Sequence, residues 1–189
     1  MQRTRAAEPC FFFQSPIYTI VVWRQIPNVF SLEFFTPEFC SMLVEQLDAY
    51  NSSGLHIARP NTQNDLGNIL SDIGLSRLCD DIVCDVLQPL GALLYEAHGG
   101  ASLNSHHSFT VVYRPEDFKG LPMHYDRGSN VTLNVSIGKV FTGGSLTFCG
   151  VRDAENYTKV AGKCSHRVGR ALLHLGFHRH GQFELPKRY

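Results

Sequence analysis

The sequence predicts an α+β domain whose helices come first and support an antiparallel sheet sandwich or jelly roll. Two observations predict it. Apolar residues recur at helical spacing as far as Leu94, and after Gly99-Gly100 the pattern changes to short β-branched and aromatic runs separated by Gly-rich turns. A length of 189 residues suits one domain of ordinary size, large enough to build a core without disulfides or metal. Hydrophobic residues at 43% and charged residues at 18% are globular proportions. Lys plus Arg and Asp plus Glu each number 17, so the net charge is 0, which argues against a nucleic-acid binder. No apolar run reaches the length of a membrane span, so no membrane association is expected.

Taken in order, residues 1–28 read as an N-terminal tail. A polar and basic start is followed by Phe11, Phe12 and Phe13, and one strand is expected in the β-branched stretch 17–23. Gln14, Ser15 and Pro16 interrupt the apolar run and no small-residue cleavage site follows, so a signal peptide is not expected.

Thr36-Pro37-Glu38 is a helix start: a hydroxyl N-cap, a Pro at the first helical position and an acid in the first turn. Phe39, Met42, Leu43, Gln46 and Leu47 carry the helical stripe down to Tyr50, and Asn51-Ser52-Ser53-Gly54 ends it. A second helix is expected over 66–73. A third is expected over 76–94, kinked or restarted at Pro89, whose missing N–H removes a ladder donor. Strands are then expected over 109–113, 131–137, 145–148 and 170–175.

Six cysteines lie scattered with no CxxC pair, which reads as reduced thiols in a cytoplasmic or nuclear setting. Cys164 and His166, with Cys149 upstream, fit no common zinc-module spacing and are read as part of those thiols and their surroundings.

His124-Tyr125-Asp126 is the constellation that can carry chemistry. In extended backbone the imidazole and the carboxylate project from one face and can reach one ion. Further imidazoles follow at even spacing in His174, His178 and His180. Two His and one carboxylate on one face of a metal, with the opposite face open, is the arrangement of non-haem Fe(II) oxygenases. Spacing alone leaves the alternative open. Nine His and nine Asp give roughly 0.4 such triplets by chance, and a strand-end turn with an Asx-type Asp has the same appearance.

Longer stretches carry more information. Phe35-Thr36-Pro37-Glu38-Phe39-Cys40, Arg59-Pro60-Asn61-Thr62, Leu87-Gln88-Pro89-Leu90 and Ala92-Leu93-Leu94-Tyr95 are followed by His124-Tyr125-Asp126. Then come Thr132-Leu133-Asn134-Val135 and Gly138-Lys139-Val140-Phe141-Thr142-Gly143-Gly144. Through these the chain resembles the 2-oxoglutarate- and iron-dependent oxygenases of prolyl 4-hydroxylase type, over about residues 28 to 181.

The resemblance implies a double-stranded β-helix, or jelly roll, with N-terminal supporting helices. It divides the chain into a tail, 1–28, and an oxygenase domain, 29–189, with helical support over 36–98, a β core over 105–181 and an atypical C-terminus over 182–189. It implies His124, Asp126 and His180 as Fe(2+) ligands, His180 because it stands directly before Gly181. His178 is the alternative distal ligand, and His174 is an ordinary strand residue. Tyr113, on the strand before the iron motif, matches a position that helps hold 2-oxoglutarate.

In the family a Pro and then a basic residue follow the His-Gly pair, the basic residue standing on a final strand where it meets the far carboxylate of 2-oxoglutarate. Here Pro186-Lys187-Arg188-Tyr189 closes the sequence, so the last strand is expected to be missing and Arg188 is the substitute anchor. The implied activity is hydroxylation of an unknown substrate, a protein side chain by family expectation, using oxygen and 2-oxoglutarate as co-substrates and L-ascorbate as reductant. The competing expectation is a catalytically inactive, truncated form that serves as a metal-binding or interaction module.

Overall fold

The computed structural model describes residues 9–14, 19–62, 64, 66–113, 120–138, 141–182 and 187–188. The basic start expected at Met1 to Glu8 lies outside them, as do Lys139, Val140 and Pro186.

Three strands open the chain: β1 (Pro9–Gln14), β2 (Thr19–Ile26) and β3 (Val29–Glu33). The sequence suggests one strand in this region, and the backbone adds one on either side of it. Helix α1 (Pro37–Asn51) starts where its chemistry requires, with the Thr36 hydroxyl accepting from the Phe39 N–H at 3.2 Å.

No helix forms over 66–73, although the apolar spacing there looks helical. The segment runs instead beside 108–112, with Thr110 N–H donating to Asn68 O, Val112 N–H to Leu66 O and Leu70 N–H to Ser108 O. The strand expected over 109–113 is the other side of this irregular pairing, reduced to a single bridge between Ile69 and Phe109. Gly67 explains the close approach, since a Cβ there would run into the Thr110 carbonyl.

The expected helix over 76–94 is a continuous helical run of three parts: α2 (Ser76–Ile82), a π-turn at Val83–Leu87, and α3 (Gln88–Tyr95). Gln88 N–H reaches back to Val83 O. This widening just ahead of Pro89 absorbs a residue that cannot sit in a regular helix interior.

The remaining strands are β4 (Leu121–His124), β5 (Val131–Val135), β6 (Phe141–Thr142), β7 (Leu146–Val151), β8 (Gly162–Cys164), β9 (Arg170–Leu175), β10 (His178–Gln182) and β11 (Lys187–Arg188). With β1–β3 they form two main antiparallel sheets, a five-stranded one ordered β1-β2-β3-β9-β5 and a four-stranded one ordered β4-β10-β7-β8, and β6 and β11 form a separate two-stranded pair. Beyond residue 182, the two-residue strand β11 pairs with β6, Arg188 opposite Phe141.

Alternation along β9 sorts the core into two layers. Ala171, Leu173 and Leu175 face Leu90 and Tyr95 of α3. Leu172, on the opposite face, packs with Val29, Leu146, Phe148 and Cys164 between the sheets. Tyr95 pins helix to sheet by donating its hydroxyl to Leu173 O at 2.9 Å. His174 shares the inter-sheet face with Leu172, and that interior is where the candidate site forms. Among the described residues, Cys40, Cys79, Cys84, Cys149 and Cys164 are free thiols, and no helix is long and apolar enough to cross a membrane.

Candidate metal centre

His124 ends β4 and His180 stands in β10, and the antiparallel register sets the two directly opposite each other. Their rings lie 4.4 Å apart between centroids. Asp126 follows two residues after His124, and its own N–H donates to Gly176 O at 2.8 Å. Two glycines make this approach possible. A Cβ on Gly176 would collide with the Ser129 carbonyl of the loop after the motif, and one on Gly181 would stand 2.7 Å from Leu121 O and 2.9 Å from Met123 Sδ of β4. The Gly after His180 thus has a packing reason: it lets β4 lie against β10.

The ligand atoms of His124, Asp126 and His180 all lie within 4.8 Å of one another. Among the described residues this is the one group of His, Cys, Asp and Glu side chains placed to share an ion. Hydrogen bonding fixes both tautomers. His124 Nδ1 is 2.8 Å from Pro122 O, and His180 Nδ1 is 3.0 Å from His178 O. A carbonyl only accepts, so each Nδ1 carries the hydrogen, and each Nε2 turns its lone pair toward Asp126. His124 Nε2 lies 3.5 Å from Asp126 Oδ1, and His180 Nε2 lies 3.8 Å from Oδ2. Carbonyl-anchored imidazoles of this kind are how proteins orient metal-binding His.

The electrostatics agree with a cation site. Burial alone would raise the Asp126 carboxyl, but the His124 contact, the nearby His180 and the Thr132 hydroxyl together hold it down to about 2. Burial opposes charging of His124, yet the hydrogen bonds and charge of Asp126 and the Pro122 carbonyl raise it above its ordinary value. His180 goes the other way, lowered by burial against the opposing pull of Asp126. The carboxylate therefore draws a proton toward the same space between the three side chains that a metal ion would take.

The other imidazoles are committed elsewhere. His174 is fully buried, with Nδ1 2.9 Å from Leu175 O and Nε2 3.0 Å from the Asn134 side-chain amide. The carbonyl takes the Nδ1 hydrogen and the amide donates to Nε2, so neither nitrogen is open to an ion. Burial first, and then the neighbouring His180, push its titration down to about 3. His178 points its Nε2 at Cys149 O, 2.7 Å away, and lies outside the group.

Tyr113 ends the 108–112 segment rather than standing on a regular strand, and burial pushes its phenol up to about 12. The backbone of Arg188 is placed by β11. Sequence reasoning missed Thr132 and Asn134, whose partners are Asp126 and His174, because a hydroxyl and an amide on an alternating strand look like ordinary polar positions. It also missed Arg170. This residue shares the inter-sheet face of β9 with Leu172 and His174, donates from Nη2 to Ser31 Oγ at 2.6 Å, and has its Nε buried without a partner.

Residues 14–100 match the family model of the OGFOD2-like domain. Over 155 residues, 82% of this chain, the sequence is 38% identical to the 2-oxoglutarate and iron-dependent oxygenase domain-containing protein 2 of Xenopus tropicalis. It is 40% identical to the Homo sapiens protein of the same name over 155 residues, again 82% of this chain. It is 38% identical to the 2-oxoglutarate and iron-dependent oxygenase domain-containing protein ICU11 of Arabidopsis thaliana over 165 residues, also 82% of this chain. The chain spans less than half the length of these proteins, 44%, 44% and 41% respectively. Through the matched domain at one end and the His-Asp-His group at the other, the chain is a relative of the 2-oxoglutarate and iron-dependent oxygenase domain-containing proteins.

Proposed function

We propose that this chain is an Fe(II)- and 2-oxoglutarate-dependent dioxygenase, built on a double-stranded β-helix with helical support, that hydroxylates a side chain of a protein substrate. One observation carries the reading. Two imidazole nitrogens and a carboxylate converge within 4.8 Å, each imidazole turned by a backbone carbonyl so that Nε2 faces inward. This donor set suits Fe(II) and leaves coordination positions for co-substrates. When bound, the iron would activate oxygen, and 2-oxoglutarate would supply two electrons as it becomes succinate and carbon dioxide, with L-ascorbate returning oxidised iron to Fe(II).

The protein's own part is to bind, orient and exclude water. His124, Asp126 and His180 would hold the metal, and Phe148, buried between the sheets, packs its ring against His180. The far carboxylate of 2-oxoglutarate needs a cation. Arg188 is the candidate from the resemblance, and Arg170, with its unpartnered Nε inside the sandwich, is the candidate from the packing. Tyr113 is the remaining co-substrate contact that the resemblance supplies.

An anaerobic titration of Fe(II) and 2-oxoglutarate into the purified chain tests the reading through the weak visible charge-transfer band of a chelated 2-oxo acid. A saturable band that is absent in His124→Ala is the expected result. A folded chain that gives no band overturns the dioxygenase reading in favour of a non-catalytic module. Arg188→Gln and Arg170→Gln then show which cation matters, since loss of the anchor raises the 2-oxoglutarate concentration needed for the band.

A further inference from the structure

We propose that Thr132 is a positioning residue of the metal centre, fixing which oxygen of Asp126 is presented to the ion. The inference rests on the metal-centre reading and adds to it a residue from the opposite sheet. Asp126 follows β4 of the four-stranded sheet, whereas Thr132 stands on β5 of the five-stranded sheet, paired with His174. The Thr132 hydroxyl donates to Asp126 Oδ2 at 2.7 Å, a short hydrogen bond to a charged acceptor.

The consequence follows from the symmetry of a carboxylate. Its two oxygens are equivalent ligands, and rotation about the last torsion of Asp is soft, so an unrestrained Asp can bind through either oxygen or through both. Binding through both would use one more coordination position and narrow the open face that two co-substrates need. A hydroxyl committed to Oδ2 leaves Oδ1, on the His124 side, as the free ligand oxygen. Thr suits the task because its β-branch stiffens χ1 and holds the donor in place. The strand fixes it further, since the neighbouring residues Val131 and Leu133 are packed on the opposite face against the helix-side core.

The residue's ordinary role would be to satisfy a half-buried hydroxyl on an alternating strand. That role is indifferent to the metal, so the two roles separate in a metal titration. The probe is Mn(II), a redox-stable substitute for Fe(II), followed by calorimetry with the full chain as wild type, Thr132→Val, Thr132→Ser and Thr132→Ala. Loss of an outer partner of a metal ligand weakens binding about 10-fold to 100-fold, and that loss is expected in the valine and alanine variants. The serine variant, which keeps the hydroxyl, is expected to bind as wild type does.

Valine and alanine variants that bind Mn(II) like wild type overturn the inference. So does a serine variant as weak as valine, because the methyl group and not the hydroxyl would then be what matters. A wild-type chain that binds no Mn(II) overturns the metal-centre reading itself, and that result is distinguishable because it is seen before any variant is compared. Metal-free melting of the same four proteins guards against a folding defect: the valine variant, isosteric and strand-favouring, is expected to melt with wild type.

Discussion

His124 and His180 are cross-strand partners, opposite each other in the β4–β10 register with ring centroids 4.4 Å apart. Neither side chain could reach the other from a β4 that slipped by one residue, because a slip turns every side chain to the opposite face. The proposed metal binding therefore depends on strand register as well as on ligand identity. His124→Ala and His180→Ala are each expected to abolish Mn(II) binding by calorimetry. His178→Gln should preserve it, since the His178 Nε2 is spent on Cys149 O. Binding that disappears in the His178 variant and survives in the His180 variant would reverse the assignment.

His174 gives the chain a defined acid sensitivity. Burial lowers its folded-state titration to about 3, whereas in the unfolded chain it titrates near the ordinary 6.5. Between those two values the unfolded state binds a proton that the folded state refuses, so stability is intact above the unfolded value and falls as pH drops through the window. His180 and His178 are lowered in the same direction and add to the effect. The urea midpoint of the metal-free chain should fall steadily from pH 7 to pH 5. In His174→Gln that decline should be shallower. A midpoint that declines equally in both proteins would show that this imidazole is not the sensitive group.

Gly176→Ala tests how the Asp126 loop is held. An alanine methyl at this position meets the Ser129 carbonyl and side chain, so either β9 or the loop must move. Overpacking of this kind costs about 1–3 kcal/mol. The Asp126 N–H to Gly176 O and Gly176 N–H to Asn130 O bonds run through the same point. Loss of Mn(II) affinity should therefore accompany the loss of stability. A variant destabilised by this amount that still binds metal normally would separate the loop's packing from the centre's geometry.

The contrast between legible and illegible elements is a contrast between local and long-range causes. Helix α1 was readable because Thr36, Pro37 and Glu38 write its start in neighbouring residues. Strands β5 and β9 were readable because their branched residues alternate between the helix-side core and the sheet interior. The stretches at 66–73 and 109–113 failed together and for one reason: each satisfies its backbone with the other across some forty residues. No local period encodes that pairing. Strand β10 was missed because His178-Arg179-His180-Gly181-Gln182 has no apolar alternation; its buried residues are imidazoles and an amide. The His-x-Asp spacing was visible by eye, whereas His180 was named as a ligand only through the resemblance, since a register between strands more than fifty residues apart decides which His stands opposite His124. Thr132 and Asn134 stayed hidden for the same reason, as their partners lie in the loop after β4 and on β9.

Tyr95 is the joint between the helices and the sheet that carries His174. Its ring is buried and meets Phe30 edge-on at 5.8 Å, and its hydroxyl donates to Leu173 O at 2.9 Å. That carbonyl belongs to β9, which already has ladder partners on both sides, so removing the hydroxyl does not orphan it outright. Tyr95→Phe should consequently cost about 1 kcal/mol, the net worth of one hydrogen bond, rather than the larger penalty of a buried unpaired acceptor. Tyr95→Ala removes the ring as well and should cost about 3–5 kcal/mol through the cavity it leaves. Urea unfolding of the two variants measures the difference. If the phenylalanine variant lost as much as the alanine variant, the hydroxyl rather than the ring would be what fastens α3 to the sheet.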